Sequence, residues 1–129
     1  MPSSQKIEVV AGLYVRDHKI FMCQVSSQDE RNKCFELPGG KVEPNENHQE
    51  ALKREWLEEL AIQILVADYV CKVSNEYINL YVYKVELLKD NFELKVHSSY
   101  NFLSIQEWTL QNLCPLDLKI LLSLDEKSI

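Results

Sequence analysis

Residues 39–62 read GGKVEPNENHQEALKREWLEELAI, two adjacent glycines followed by six glutamates, Glu43 to Glu59. From Asn47 the stretch takes a helical period: Asn47 with Glu50 three places on makes a capping box, and residues 51–60 hold no glycine, proline or β-branched residue. The spacing predicts a helix over about 48–60. On it, Glu55, Glu58 and Glu59 share one arc of about 100°, beside an apolar arc of Leu52, Trp56, Leu57 and Leu60. Carboxylates three and four apart repel one another, and Lys53 and Arg54 are read as pointing elsewhere. The arrangement is either a solvated acidic face or a seat for a hard divalent cation, Mg²⁺ or Mn²⁺, which prefers oxygen ligands. The glycines favour the second reading. The chain has only 3 glycines in 129 residues, and two stand just before the acidic segment, where backbone can turn tightly or approach a ligand closely.

Upstream, residues 7–15 (IEVVAGLYV) and 19–24 (KIFMCQ) are apolar and β-branched around Arg16-Asp17-His18, which predicts a hairpin. Residues 26–33 read as a polar loop, 35–37 as a short extended run held out of the helical region by Pro38, and Pro38-Gly39-Gly40 as a turn. Downstream, 64–73 and 77–86 read as strands joined by Ser74-Asn75-Glu76, and Lys89-Asp90-Asn91 as a turn before a short strand at 92–96. Ser104 with Glu107 repeats the capping box and opens a short helix containing Trp108, and Pro115 starts a final helix to about Leu124. With no repeat or low-complexity segment, several strands with one long central helix and a C-terminal helix make an α/β or α+β sandwich, in a single domain over 1–129.

The 14 basic against 20 acidic residues leave a net charge of −6, which argues against a partner built from a phosphate polymer. No stretch approaches 18 uninterrupted apolar residues and the N-terminus lacks the apolar run of a signal peptide, so the expectation is a cytoplasmic protein with no membrane partner. Cys23, Cys34, Cys71 and Cys114 show no CxxC pair, so zinc is not expected and all four are read as free thiols.

The acidic stretch resembles the signature of the Nudix hydrolases, G-x5-E-x7-R-E-U-x-E-E-x-G-U with U bulky and apolar. Gly40, Glu46, Arg54-Glu55, Trp56, Glu58-Glu59 and Ile62 match it, and Ala61 stands where the family has glycine. Leu37-Pro38-Gly39 extends the match, and IEVVAGLYV, FELPGGKVEP, YINLYVYKV and CPLDLKIL follow the order of the MutT-like branch. The resemblance implies a Mg²⁺-dependent hydrolase (Mn²⁺ as alternative) that converts a nucleoside triphosphate, possible substrates including 8-oxo-dGTP or a pyrimidine triphosphate, to monophosphate plus pyrophosphate. Such an activity serves DNA repair by cleaning the nucleotide pool. It further implies the α/β class, as an α/β/α sandwich with a mixed sheet, a central catalytic helix and a C-terminal helix, and it implies Glu55, Glu58, Glu59 and the carbonyl of Gly39 as metal ligands. Arg54 and Glu46 would orient them and act with Glu55 and Glu58 in catalysis. Lys41 would lie near a phosphate, Val9, Leu37 and Ile78 would line the base pocket, and Asp117 would read the base edge, although an acid there also suits a helix N-terminus. Tyr69, Tyr77, Tyr81 and Tyr83 offer stacking or simply a half-buried strand.

Three departures from the branch stand out. Ala61 costs on the order of 1 kcal/mol if the left-handed turn is kept. Val25 replaces a usual arginine. Residues 96–101, read as a loop, lack the usual glutamate, for which His97 or Glu46 could substitute. Two other readings remain open: hydrolysis of another nucleoside diphosphate conjugate, and a nucleotide-binding module without turnover. MutT-like proteins occur as monomers and homodimers.

Overall fold

The computed structural model describes residues 5–26, 33–89, 91–125 and 129. Most of the polar stretch 26–33 and Asp90 of the expected turn at 89–91 therefore lie outside the described residues. The elements are β1 (Ile7–Leu13), β2 (Val15–Arg16), β3 (Lys19–Val25), β4 (Phe35–Glu36), β5 (Gly39–Lys41), α1 (His48–Leu60), β6 (Ile64–Ser74), β7 (Ile78–Leu87), β8 (His97–Leu103), α2 (Ile105–Trp108) and α3 (Pro115–Ser123). One sheet runs β5-β1-β7-β6; in the other, β3 carries β2 and β4 along one edge and β8 along the other. The first sheet is mixed, with β1 parallel to β7 and antiparallel to β5.

Alternation along β1 and β7 separates two cores. Val10 and Val85 join Ala51, Leu52, Trp56 and Leu60 of α1, while Ala11, Leu13, Leu80 and Val82 join Trp108 of α2 and Ile120 and Leu121 of α3. The result is the expected α/β/α layering. Each core is pinned by a buried tryptophan whose indole N–H is satisfied: Trp56 donates to the Pro38 carbonyl at 3.0 Å and Trp108 to the Ile20 carbonyl at 2.8 Å.

Helix α1 begins and ends where the sequence indicates. Asn47 accepts from the Glu50 amide at 2.8 Å and Glu50 accepts from the Asn47 amide at 2.9 Å. Ala61 closes it in the left-handed region, φ 55° and ψ 35°. The turn is thus kept with alanine in place of glycine.

Five sequence expectations are corrected. The apolar run 7–15 is not one arm of a hairpin: it breaks at Tyr14, β1 pairs with β5 and β7, and only Val15 and Arg16 pair across Asp17-His18 with β3. Both turn residues have positive φ, 54° and 63°, as a tight two-residue hairpin requires. Gly39 and Gly40 are not a turn but a strand, β5, beside β1. Residues 92–96 are not a strand, because their amides serve the end of α1: Glu93 donates to the Leu60 carbonyl and Lys95 to the Glu59 carbonyl, both at 2.8 Å. The strand lies at His97–Leu103, across the residues read as a loop. Finally, Cys34 and Cys114 form a disulfide, leaving Cys23 and Cys71 as the free thiols. Nothing in the spacing of 80 residues signals that pair; it exists because β4 and the start of α3 are already joined by Phe35–Asn112 and Cys114–Phe35 backbone bonds of 2.8 and 3.0 Å.

Candidate active site

Strand β5 lies so close to both its neighbours that neither of its glycines has room for a side chain. A Cβ on Gly39 would strike the Val10 carbonyl, and one on Gly40 would strike the Glu55 carboxyl. Here glycine serves close approach rather than a left-handed turn, since no glycine has positive φ. The packing brings the α1 carboxylates directly against the β5 backbone.

Arg54 is the hub of this face. Its Nε and Nη2 grip Glu46 at 2.7 and 3.0 Å, its Nη1 reaches Glu55 at 2.8 Å and Glu58 at 3.3 Å, and Nη2 also donates to the Lys41 carbonyl at 3.0 Å. The reading that Arg54 points away from the carboxylates is therefore wrong. A helical wheel locates Cα positions, whereas the long guanidinium stem reaches across to its neighbours. Glu46 also accepts from the Glu43 amide at 2.9 Å, and the Arg54 bond above all holds its carboxyl down at about 2. The same pairing raises the Arg54 guanidinium above its already high value.

Glu59 is the opposite case. Burial, then the Glu55 carboxylate beside it and the charge of Glu36, push its carboxyl up to about 9, against the opposing bond from the Gly39 backbone. Its Oε1 is buried and has no hydrogen-bond partner. Glu55 and Glu59 are mostly shielded, with side chains 14% and 13% exposed, whereas Glu58 is open at 60%. Three carboxylates of graded exposure, one orphaned oxygen and a single shared arginine form an oxygen donor set short of positive charge. A hard divalent cation fits it in charge and ligand type. These residues are Glu55, Glu58 and Glu59, with the Gly39 backbone alongside.

Next to the carboxylates opens a cavity of about 330 Å³, lined among others by Val9, Leu37, Ile78, Leu80, Glu36 and Asp117. All four residues assigned to the base pocket by resemblance are brought together there, and Gly39 and Gly40 also line it. Leu37 donates its amide to Asp117 Oδ1 at 2.8 Å. Burial, helped by the charge of Glu36, raises the Asp117 carboxyl to about 7. An apolar cleft with a few convergent polar groups suits a flat, partly polar ligand. Lys41 is exposed on the β5 edge. The four tyrosines do not line the cavity. Tyr81 instead donates to Glu8 at 3.0 Å, Tyr83 bonds His48 at 2.8 Å, and Tyr69 packs edge-on against Tyr83.

Glu36 is the functional candidate that sequence reading passed over. It sits at the cavity wall and 3.1 Å from His97 Nε2, and its position directly before Leu37-Pro38-Gly39-Gly40 was the available signal. Glu36, Cys114 and Asp117 also bring potential ligand atoms within 4.8 Å of one another, but the Cys114 sulfur is committed to the disulfide.

The pattern of the NUDIX domain matches residues 6–120. The chain is 35% identical over 119 residues to the CTP pyrophosphohydrolase of Escherichia coli (strain K12), covering 89% of this chain and 88% of the relative. It is 30% identical over 78 residues to the 8-oxo-dGTP diphosphatase of Proteus vulgaris, covering 60% and 70% of the two chains. Among solved structures, that of the E. coli ORF135 protein superposes with a TM-score of 0.85 at 33% identity, covering 94% of this chain and 89% of that one. A MutT protein from Methanosarcina mazei Go1 superposes at 0.83 over 99% of both chains, and at 20% identity it speaks for the fold alone. Together with the carboxylate cluster on α1, these matches establish that the chain belongs to the Nudix family, hydrolases acting on phosphoric anhydrides.

Proposed function

We propose that the protein is a single-domain nucleoside triphosphate pyrophosphohydrolase that converts a (d)NTP to (d)NMP and pyrophosphate with the help of Mg²⁺. The observation that carries this reading is the juxtaposition of a cation-deficient carboxylate cluster with a nucleoside-sized cavity, both bordered by Gly39 and Gly40. The cavity takes the base and sugar. The glutamates take the cations that accompany the phosphates, so the anhydride lies across β5. When bound, Mg²⁺ neutralises phosphate charge and lowers the pKa of the attacking water.

The chain's own groups do the positioning. Glu55, Glu58 and Glu59 hold the cation with the Gly39 carbonyl, while Arg54 and Glu46 fix the carboxylates and the loop ahead of α1. Arg54 forms two bonds to Glu46 and one each to Glu55 and Glu58, so one side chain sets three carboxylates. Val9, Leu37 and Ile78 clasp the base and Asp117 reads its edge, and Lys41, exposed on β5, meets the outer phosphates. An Asp117 that keeps its proton near neutrality can donate as well as accept, which favours a base edge offering an acceptor.

A cytosine or an oxidised guanine base is the favoured class, from the activities for which the relatives at 35% and 30% identity are named. The setting is the cytoplasmic nucleotide pool. Among the described residues no helix is long and apolar enough to cross a membrane.

Hydrolysis in H₂¹⁸O tests the chemistry. Attack on the β-phosphorus places the label in pyrophosphate; label in the monophosphate refutes that position of attack, and release of inorganic phosphate refutes the reaction class.

A further inference from the structure

His97 opens β8, and a register shift decides which way it faces. Phe21 pairs with Phe102 and Cys23 with Tyr100, on the face toward α1; between Gln24 and Val25 the pairing then jumps from Ser99 to His97. Regular alternation would put Ser98 opposite Val25 and turn His97 to the other face. The bulge reverses this, since directly paired residues share a face. His97 is thereby buried, its side chain 3% exposed, among Glu36 of β4 and Glu59 of α1.

The imidazole Nε2 lies 3.1 Å from Glu36 Oε2 and 4.0 Å from Glu59 Oε1. The Glu36 carboxylate, within hydrogen-bond distance, is an acceptor, so Nε2 is assigned the hydrogen and donates it to Glu36. Nδ1 is buried without a partner and does not hold the ring from its far side, and Glu59 Oε1 is buried and unpartnered as well. One N–H thus stands between two carboxylates, one lining the nucleoside cavity and the other in the α1 cluster, with nothing on Nδ1 to stop it turning toward the second.

We propose that His97 is a positioning residue that relays occupancy of the nucleoside cavity to the metal-holding cluster by moving its Nε2–H from Glu36 to Glu59. The relay rests on the proposed function. A base that donates a hydrogen to Glu36 satisfies that carboxylate, and the His97 N–H is released to Glu59 Oε1. Glu59 then has its inner oxygen fixed and its outer oxygen presented for the cation, and a ligand fixed from behind binds metal more tightly. Linkage requires the reverse as well: metal tightens the nucleoside by the same factor.

The test uses nucleosides without phosphate, so that no metal is carried in by the ligand. Isotope-labelled protein is titrated with cytidine and with guanosine, and Mn²⁺ affinity is read from the free-ion paramagnetic resonance signal with and without nucleoside. In the wild type the bound nucleoside tightens Mn²⁺ about fivefold or more. His97→Leu brings that ratio to about one, while His97→Gln, which keeps an N–H near the Nε2 position, restores it. A nucleoside that shifts the resonances of Val9, Leu37 and Ile78 yet leaves Mn²⁺ affinity unchanged overturns the relay and leaves the proposed function standing. Coupling that persists in His97→Leu also overturns it. If neither nucleoside shifts those resonances, the nucleoside pocket itself is refuted and the relay with it. Where His97→Leu does not fold, the ring nitrogens of the wild type decide: the Nε2 resonance moves on adding nucleoside, and an unmoved Nε2 refutes the relay.

Discussion

Replacing Ala61 by glycine should stabilise the protein, although it removes a methyl group and adds no contact. Ala61 sits at φ 55° and ψ 35°, where an L-residue costs about 1–2 kcal/mol. Its side chain is exposed, so no core packing is lost with the methyl. Glycine escapes the cost but gives the unfolded chain more freedom, worth about 0.5–1 kcal/mol against folding. The net gain is about 0.5–1 kcal/mol. Unfolding entropy near 2.1 cal/mol/K per residue gives about 270 cal/mol/K for this length, so the melting temperature rises by about 2–4 °C. Calorimetry at fixed pH measures it, with pyrophosphate release as a control expected to stay constant. A lowered or unchanged melting temperature would refute the left-handed cap as a source of strain.

Three further outcomes follow from the same geometry. Gly40→Ala drives a methyl into the Glu55 carboxyl, so Mn²⁺ affinity falls about tenfold or more while the protein stays folded; unchanged affinity means Glu55 lies outside the metal cluster. Reduction of Cys34–Cys114 releases a constraint spanning 80 residues, and the chain-entropy relation puts the loss of stability at about 4.5 kcal/mol, read by urea unfolding with and without a dithiol reductant. Asp117 binds its proton more tightly when folded, at about 7, than in the unfolded chain. Its contribution is therefore fully present in acid and is lost as pH rises from about 4 through about 7, with a slope up to about 1.4 kcal/mol per pH unit. Asp117→Asn flattens that part of the pH–stability curve, and an unaltered curve contradicts the buried, raised carboxyl.

What the sequence made legible was what short-range physics decides. The capping box, the glycine-free run and the proline at the start of α3 fixed three helices to within a residue or so, because caps and helix propensity act over four residues. The carboxylate face was legible for the same reason, whereas the gathering of Val9, Leu37, Ile78 and Asp117 was carried by resemblance alone. Long-range choices were hidden. Residues 7–15 have uniform β character, so nothing local marks the break at Tyr14, where the chain leaves one sheet for the other. Residues 92–96 alternate like a strand, yet Phe92 and Leu94 pack on the α1 core while the amides of Glu93 and Lys95 cap its last turn. The face of His97 depends on a bulge in a pairing between β3 and β8, and the disulfide on the parallel meeting of Phe35 with Leu113. Neither leaves a trace in spacing. Arg54 was misjudged because its Cα direction was read and its reach was not.

The most direct test is pyrophosphate release at fixed Mg²⁺ across canonical and oxidised NTPs and dNTPs, run in parallel on the wild type and Glu58→Gln. Glu58 is the most exposed of the three cluster carboxylates, so the substitution spares the core and removes one oxygen charge. The account predicts that one triphosphate dominates, that activity vanishes in chelator, and that the variant loses at least about a hundredfold in kcat. Turnover of no triphosphate in the panel, or a Glu58→Gln enzyme as active as the wild type, would contradict it.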